Sequence, residues 1–246
     1  GHILLGELQT NQLQQLLNWL FREGRQVKRE GQDPGLSRRT VELTRTTAKA
    51  ALEQAVQEGL LVRNPAVGTT LPKEERKEVE PFTKDEVIRF LDSIKEDRLY
   101  AAYYLMVMTG LRRGECLGLK WKDLDLEEGR LHVKRSLVEY TDVETGKVVR
   151  DFQDPKTSES RRTIPLIPEV VAVLKTHKAR QNEEKLLLGK EYNDEDLVFC
   201  IENGRRIWPR NFNRQYTEHL KKAGIPHKKL HALRHTFVTL LLEAGE

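Results

Sequence analysis

Apolar residues in the N-terminal part of the chain recur every three or four positions, the spacing of one helix face. Between Leu8 and Leu20 this pattern predicts an amphipathic helix. A longer helix is predicted from Leu36 to about Gly59, with Ser37 or Thr40 as its N-cap. Two helices with one apolar face each indicate a small helical domain.

The C-terminal part combines helical and alternating patterns. Thr83 and Glu86 have the spacing of a capping box, so a helix is predicted from about Lys84 to Ile94. Residues Leu99 to Met108 are apolar nearly all round and predict a buried helix, which Gly110 would end in a left-handed turn. Strands are predicted at Leu131 to Val138, Val148-Val149 and Thr163 to Leu166, and further helices at Pro168 to Leu188, Pro209 to Ala223 and Leu233 to the end.

Prolines and charged residues separate the two parts. The segment 71–81 is charged and contains Pro72 and Pro81, which makes it the best linker candidate. We therefore predict a helical domain at 1–70 and a second domain at 82–246. The expected fold class is mainly α with one small antiparallel β-sheet (α+β).

The composition argues against a membrane anchor and favours an anionic partner. No apolar run approaches the roughly twenty residues that cross a bilayer. Cys116 and Cys200 are the only cysteines and form no CxxC pair, so a reducing cytoplasmic location is expected. Residues 200–235 carry nine Lys and Arg against two acids, and residues 22–49 carry eight against four. Such stretches can dock an anion, although each alone is as often a solvated helix face.

Three short segments carry residues suited to phosphate chemistry, and each also has an ordinary explanation. Arg112 and Arg113 follow a helix-ending glycine, where a guanidinium can bind two phosphate oxygens, but they could simply be surface arginines. Lys156 lies on a predicted turn and could donate a proton, although exposed lysines on turns are common. His231 and Arg234 are neighbours on a helix face, an arrangement that surface pairs also show.

The order of these segments is more specific than any one of them. The motifs are Thr-Gly-Leu-Arg-Arg-Gly-Glu at 109–115, Lys-Thr-x-x-Ser-x-Arg-x-Ile-Pro-Leu at 156–166 and His-x-Leu-Arg-His-Thr-Phe at 231–237. Together they resemble the catalytic domain of the tyrosine recombinase (phage integrase) family. Residues 4–65 resemble the helical core-binding domain that precedes it in integrases. The resemblance implies that fold and an enzyme that cuts and rejoins DNA.

The resemblance also implies roles for single residues. Arg112 and Arg234 would clamp the phosphate. Lys156 would protonate the departing 5′ oxygen, and His231 would transfer a proton. Glu115 matches an acidic position that supports the first arginine. The implied chemistry needs neither a metal nor another cofactor.

Double-stranded DNA is the expected partner. Candidate DNA contacts are Arg38, Arg39 and Arg45 in the first domain and Lys228 and Lys229 beside the third motif. Family members act as tetramers on two duplexes, which the resemblance implies for the full-length protein. This chain alone is expected to be monomeric.

The nucleophilic tyrosine of the family has no match, because no tyrosine follows Tyr216 in this chain. Tyr216 precedes the third motif, and Tyr100, Tyr103 and Tyr104 lie on a helix that is expected to be buried. We expect a chain cut at Glu246 rather than a protein that lost its nucleophile, and hence no covalent DNA adduct from the fragment.

Three other functions stay open at this level. One is a catalytically inactive DNA-binding regulator with the same fold, and another is a type IB topoisomerase-like enzyme. A helical scaffold that binds protein is the third.

His235, which follows the third motif, is expected to be a buried histidine with a hydrogen-bond partner.

Overall fold

The computed structural model describes residues 3–27, 31–73, 80–154 and 161–244, with the side chains of the last helix described up to residue 239. Two compact units are present, the N-terminal unit Gly1–Glu78 and the C-terminal unit Val79–Glu246. The predicted boundaries at 70 and 82 stay predictions, because residues 74–79 of the expected linker lie outside the described residues.

Among the described residues, the N-terminal unit contains two α-helices, as the apolar spacing predicts. They are α1 (Thr10–Glu23) and α2 (Arg38–Gln57), and a short 3-10 turn (Leu5–Glu7) precedes them. The Thr40 N–H donates to the Ser37 hydroxyl at 3.2 Å, so Ser37 is the N-cap of α2. Apolar residues of both helices, Leu17, Val41, Leu52 and Ala55, are buried.

The C-terminal unit is built around one apolar helix. Its α-helices are α3 (Lys84–Ser93), α4 (Tyr100–Thr109), α5 (Arg113–Leu117), α6 (Pro168–Leu188), α7 (Pro209–Lys222) and α8 (Ala232–Ala244). Short 3-10 turns lie at Trp121–Asp123 and Gly189–Glu191. Helix α4 is buried nearly all round and packs against α3, α5, α6 and α8, as its composition predicts. The capping box of Thr83 and Glu86 is present at the start of α3.

The predicted single sheet is wrong, because the part of the chain that the structure describes contains two small antiparallel sheets. One has the order β1-β2-β5, and the other is the hairpin β3-β4. Their strands are β1 (Leu124–Asp125), β2 (Arg130–Val133), β3 (Ser136–Thr141), β4 (Val148–Gln153) and β5 (Arg162–Pro165).

The run that predicts one strand from Leu131 to Val138 is divided at Lys134-Arg135. Arg135 forms an ion pair with the buried carboxylate of Asp123, and the chain leaves the first sheet there. Leu131 pairs with β5, whereas Leu137 pairs with β4. The alternation of apolar and polar residues is present along this run, but the strand that pairs with it changes from β5 to β4.

The mainly α fold with small antiparallel sheets is as expected. No helix in the described ranges is long and apolar enough to span a bilayer.

Candidate active site

An open cavity of about 970 Å³ lies in the C-terminal unit and brings three of the predicted catalytic residues together. It is lined by the turn before α5, by strand β3 and helix α7, and by His227, Lys229, Leu230, His231 and Arg234. Arg112, His231 and Arg234 all face this cavity. The first and third sequence motifs, more than a hundred residues apart, therefore contribute to one site.

Arg112 is held on a short, rigid turn. Gly110 ends α4 with a left-handed backbone, at φ 61°, and Arg112 is the N-cap of α5. The Arg112 N–H donates to one oxygen of Glu115, and its Nη1 donates to the other, both at 2.9 Å. The Arg112 side chain is still 54% exposed. Its guanidinium is thus fixed from one side and open to the cavity.

Glu115 is a buried carboxylate that a second arginine also binds. Arg162, at the start of β5, donates through Nη1 at 3.2 Å and Nη2 at 2.9 Å to the two Glu115 oxygens. Burial raises the pKa of Glu115, but hydrogen bonds from Arg162 and Arg112 outweigh it and hold that pKa below its usual value. Glu115 is therefore ionised at neutral pH and supports Arg112, as the resemblance implies.

Small residues allow this turn to pack closely. A Cβ on Gly110 would lie 2.5 Å from the ring of Phe237, and one on Gly114 would lie 2.3 Å from the Ser136 hydroxyl. Real side chains do not approach so closely. Gly110 also needs its left-handed backbone, which glycine adopts without strain.

Arg234 lies in the first turn of α8 and is half-buried. Its Nη1 donates to the backbone carbonyl of Gly110. Burial and the nearby positive charges of Arg112 and Arg162 lower the pKa of Arg234. The positive charges of these guanidinium groups repel one another, and together they would strongly attract an anion placed between them.

His231 and His235 lie side by side at the surface. Their rings are perpendicular, with centroids 4.8 Å apart. Partial burial and neighbouring basic groups, His235 first, lower the pKa of His231, so its neutral form dominates at neutral pH. The prediction of a buried His235 is wrong. It faces outward on α8 because the inward positions of that turn are taken by Leu233 and Thr236.

Lys156 lies outside the described residues. The neighbouring strands are described, since β4 ends at Gln153 and β5 begins at Arg162. Its assignment as the proton donor therefore stays a prediction.

The two lysines before the third motif differ in their surroundings. Lys228 donates through Nζ to the Pro81 carbonyl and to Glu86, both at 2.9 Å, and its side chain is 12% exposed. Lys229 is exposed, lines the cavity and forms no ion pair with the described residues. Only Lys229 has the surroundings expected of a DNA contact.

The three arginines of α2 also differ. Arg45 donates to the hydroxyl and carbonyl of Thr69 at 2.8 and 2.7 Å, and Arg38 donates to the Pro72 carbonyl at 3.1 Å. These bonds fasten the segment after α2 to that helix. Arg39 is 72% exposed and pairs with Glu42 at 2.9 Å. As DNA contacts, all three stay predictions.

Sequence reasoning gave several basic residues of the site no role. Arg113 was considered but left out of the catalytic set, and it lines the cavity. Arg210 and His227 also line the cavity, and Arg162 supports it from behind. Arg162 shares the half-buried face of β5 with Ile164, and an arginine on such a face signals a buried acidic partner. That signal was present in the sequence.

The tyrosines near the site are buried. Tyr103 and Tyr216 are 0% and 2% exposed, and burial raises the pKa of both. Tyr216 lines the cavity, but its hydroxyl is enclosed by protein. Tyr100 and Tyr104 are only half-buried, less than expected.

In the described ranges, no group of three or more His, Cys, Asp and Glu residues is arranged to hold a metal ion.

Comparison with known proteins decides the family. The model of the phage integrase family matches residues 80–246, which include Arg112 and Arg234. The chain belongs to the phage integrase family.

Relatives in this family share the sequence along most of the chain. A "Tyrosine recombinase XerC-like" protein of Caldanaerobacter subterraneus subsp. tengcongensis is 35% identical over 250 residues, or 97% of this chain and 61% of the relative. The "ICEBs1 integrase" of Bacillus subtilis is 28% identical and matches 87% of this chain and 57% of the relative. The chain thus spans about three fifths of these relatives.

Solved structures agree in fold. The Tn1549 transposon integrase in complex with circular intermediate DNA matches 100% of this chain and 76% of that chain, with a TM-score of 0.76 and 22% identity. A λ integrase tetramer bound to a Holliday junction matches 96% of this chain and 58% of that chain, with a TM-score of 0.62 and 20% identity. At these identities the likeness concerns the integrase fold alone.

Proposed function

We propose that this chain is the DNA-gripping and partly catalytic region of an integrase or site-specific DNA recombinase. The observation that carries the proposal is the convergence of Arg112, Arg234 and His231 on one open cavity. Two guanidinium groups beside an imidazole suit a phosphodiester that changes its bonding. Double-stranded DNA is the proposed substrate, and the proposed reaction needs no cofactor.

The proposed step is a phosphoryl transfer to a tyrosine. The tyrosine oxygen forms a bond to phosphorus, and the bond from phosphorus to the 5′ oxygen breaks, which leaves a 3′-phosphotyrosine link. Arg112 and Arg234 stabilise the charge that grows on the nonbridging oxygens, because fixed cations act most strongly where charge develops. His231, whose neutral form dominates at neutral pH, accepts the proton that the tyrosine hydroxyl loses, and Lys156 protonates the departing 5′ oxygen.

Direct contacts with the DNA backbone are assigned to exposed cations. Lys229 and Arg39 are the proposed phosphate contacts, while the hydrogen bonds of Arg38, Arg45 and Lys228 favour a structural role. We propose that the full-length protein acts as a homotetramer on DNA in the cytoplasm, and that this chain alone is a monomer.

Salt-dependent binding tests the DNA-gripping role. Affinity of the chain for a DNA duplex should fall steeply with salt, by about 0.9 in log–log slope for each phosphate contact, since bound phosphates release counterions. Fluorescence anisotropy with a labelled duplex gives that slope. A flat response would contradict the proposal.

Strand cleavage tests the enzymatic role. The full-length product of the gene should form a covalent protein–DNA adduct through a tyrosine outside 1–246, whereas residues 1–246 alone should form none. Denaturing gels and mass spectrometry of the adduct identify the tyrosine. A full-length protein that binds DNA but never cuts it would support the inactive regulator instead.

A further inference from the structure

Arg162 joins strand β5 to the turn that carries Arg112. Both of its terminal nitrogens bind the Glu115 carboxylate, across 47 residues of sequence. The side chains are 28% and 7% exposed, so water screens this pair only weakly. A two-pronged bond between guanidinium and carboxylate is strong and fixes direction as well as distance.

Glu115 transmits that direction to Arg112. Among the described residues, its carboxylate is the only group that accepts a hydrogen bond from the Arg112 guanidinium. It also accepts the Arg112 backbone N–H. Any rotation of the Glu115 carboxylate would therefore move both the backbone and the tip of Arg112.

We infer that Arg162 is a positioning residue for strand cleavage, which holds Glu115 in the orientation that aims Arg112 at the phosphate. The inference rests on the proposed function, because it takes the scissile phosphate to bind at Arg112. Arg162 itself lies behind the turn and does not line the cavity. It acts through Glu115 rather than on the substrate.

The ionisation of Glu115 gives this role a pH signature. In the described ranges, the titratable and charged groups around Glu115 are Arg112, Arg162, Arg234 and Cys116. Burial raises the pKa of the Cys116 thiol, so this group stays neutral. As pH falls through the lowered pKa of Glu115, the carboxylate gains a proton and the support of Arg112 is lost. Without Arg162 the burial of Glu115 is less opposed, so this loss should begin at higher pH.

The experiment uses the full-length gene product and a DNA site selected from random duplexes by binding. Arg162→Gln should lower the single-turnover cleavage rate about 10- to 100-fold, as for groups that orient metal ligands. The DNA dissociation constant should change less than about threefold, which is less than about half of the binding free energy of a tenfold change. The acidic limb of the rate profile should move to higher pH, and the double variant with Glu115→Gln should lack that movement.

Arg161→Gln is the matched control. Arg161 is the neighbouring residue, 61% exposed, and pairs with the exposed Asp154. Its replacement should leave the rate, the binding and the pH profile close to those of the unchanged protein.

Three results would overturn the inference. An unchanged cleavage rate for Arg162→Gln would do so, and so would equal losses of binding and cleavage, or an acidic limb that does not move. If Arg162→Gln fails to fold, Arg162→Lys replaces it and should show a smaller shift in the same direction. An unchanged protein that never cleaves DNA would refute the proposed function, and the inference with it.

Discussion

Arg112 and Arg234, the two proposed phosphate clamps, are held in opposite ways. Arg112 forms an ion pair with the ionised carboxylate of Glu115, so the protein itself balances part of the Arg112 charge. Arg234 donates to the neutral carbonyl of Gly110 and lies among other cations. Arg112 thus has a well-defined position, whereas Arg234 keeps more of its charge for a ligand. Lys228 and Lys229 differ in the same way, because Lys228 pairs with Glu86 whereas Lys229 is exposed and available to a ligand.

The largest expected effect comes from removing either arginine. In the full-length protein, Arg112→Ala and Arg234→Ala should each lower cleavage by about 10²- to 10³-fold or more, because each acts mainly in the transition state. DNA affinity should largely persist. Variants with lysine at either position should also cleave DNA slowly. An ammonium group lacks the planar set of N–H donors with which a guanidinium binds two phosphate oxygens at once. Single-turnover cleavage and anisotropy measure the two properties.

Arg214→Ala is a suitable control for this pair. Arg214 is 70% exposed on α7 and lies near Glu218. Its loss should change neither property appreciably. If the cavity variants lost binding and cleavage equally, Arg112 and Arg234 would be mere backbone contacts.

Gly110→Ala should disturb the Arg234 side of the site. The new methyl group would strain the left-handed backbone and meet the ring of Phe237 at 2.5 Å. We expect a loss of about 1–3 kcal/mol in unfolding free energy, together with weaker cleavage because the acceptor of Arg234 moves. Gly146→Ala offers a control, since Gly146 has a similar φ of 64° but open space around it. Urea unfolding should show the larger loss at Gly110; equal losses would exclude the Phe237 contact.

The lysine pair should separate stability from DNA binding. Lys229→Gln should lower the salt slope of DNA binding by about one unit without changing stability. Lys228→Gln should cost about 1 kcal/mol of stability through lost hydrogen bonds and leave the slope unchanged. The reverse pattern would mean that Lys228 leaves Glu86 to bind DNA.

The smallest effects are expected in the N-terminal unit. Arg39→Gln should lower the salt slope by less than one unit, since Glu42 already offsets part of its charge. Arg45→Gln should instead lower the melting temperature through lost bonds to Thr69. Titrations and thermal unfolding of the two variants, side by side, would show whether α2 grips DNA through Arg39.

Local patterns predicted the helices well. The spacing of apolar residues located α1 and α2 within a few residues, and Ser37 and Thr83 were found as caps. The predicted bounds of α6 and α7 also agree with the structure. The order of three motifs identified the family. Arg112, His231 and Arg234 were then found around one cavity, which spacing alone could not establish.

Features that depend on distant residues were missed. Helix α5 is five residues long, too short for a periodic pattern. The division of the 131–138 run depends on Asp123, which binds Arg135 from outside that run. The bond between Arg162 and Glu115 links two elements whose pairing no local pattern specifies. In the last two cases a tertiary contact decides the outcome, and in the first the short length does.

Gly110 and Gly114 lie two residues on either side of Arg112. A Cβ atom at either position would lie too close to the side chain of a neighbouring residue. Neither position has room to acquire a side chain by single substitution. Adaptation of this site to a different DNA should therefore proceed elsewhere, through exchanges at Arg113 or along the rim at Arg210 and Lys229. The turn itself would pass unchanged through such a history, while the surface around it diversified.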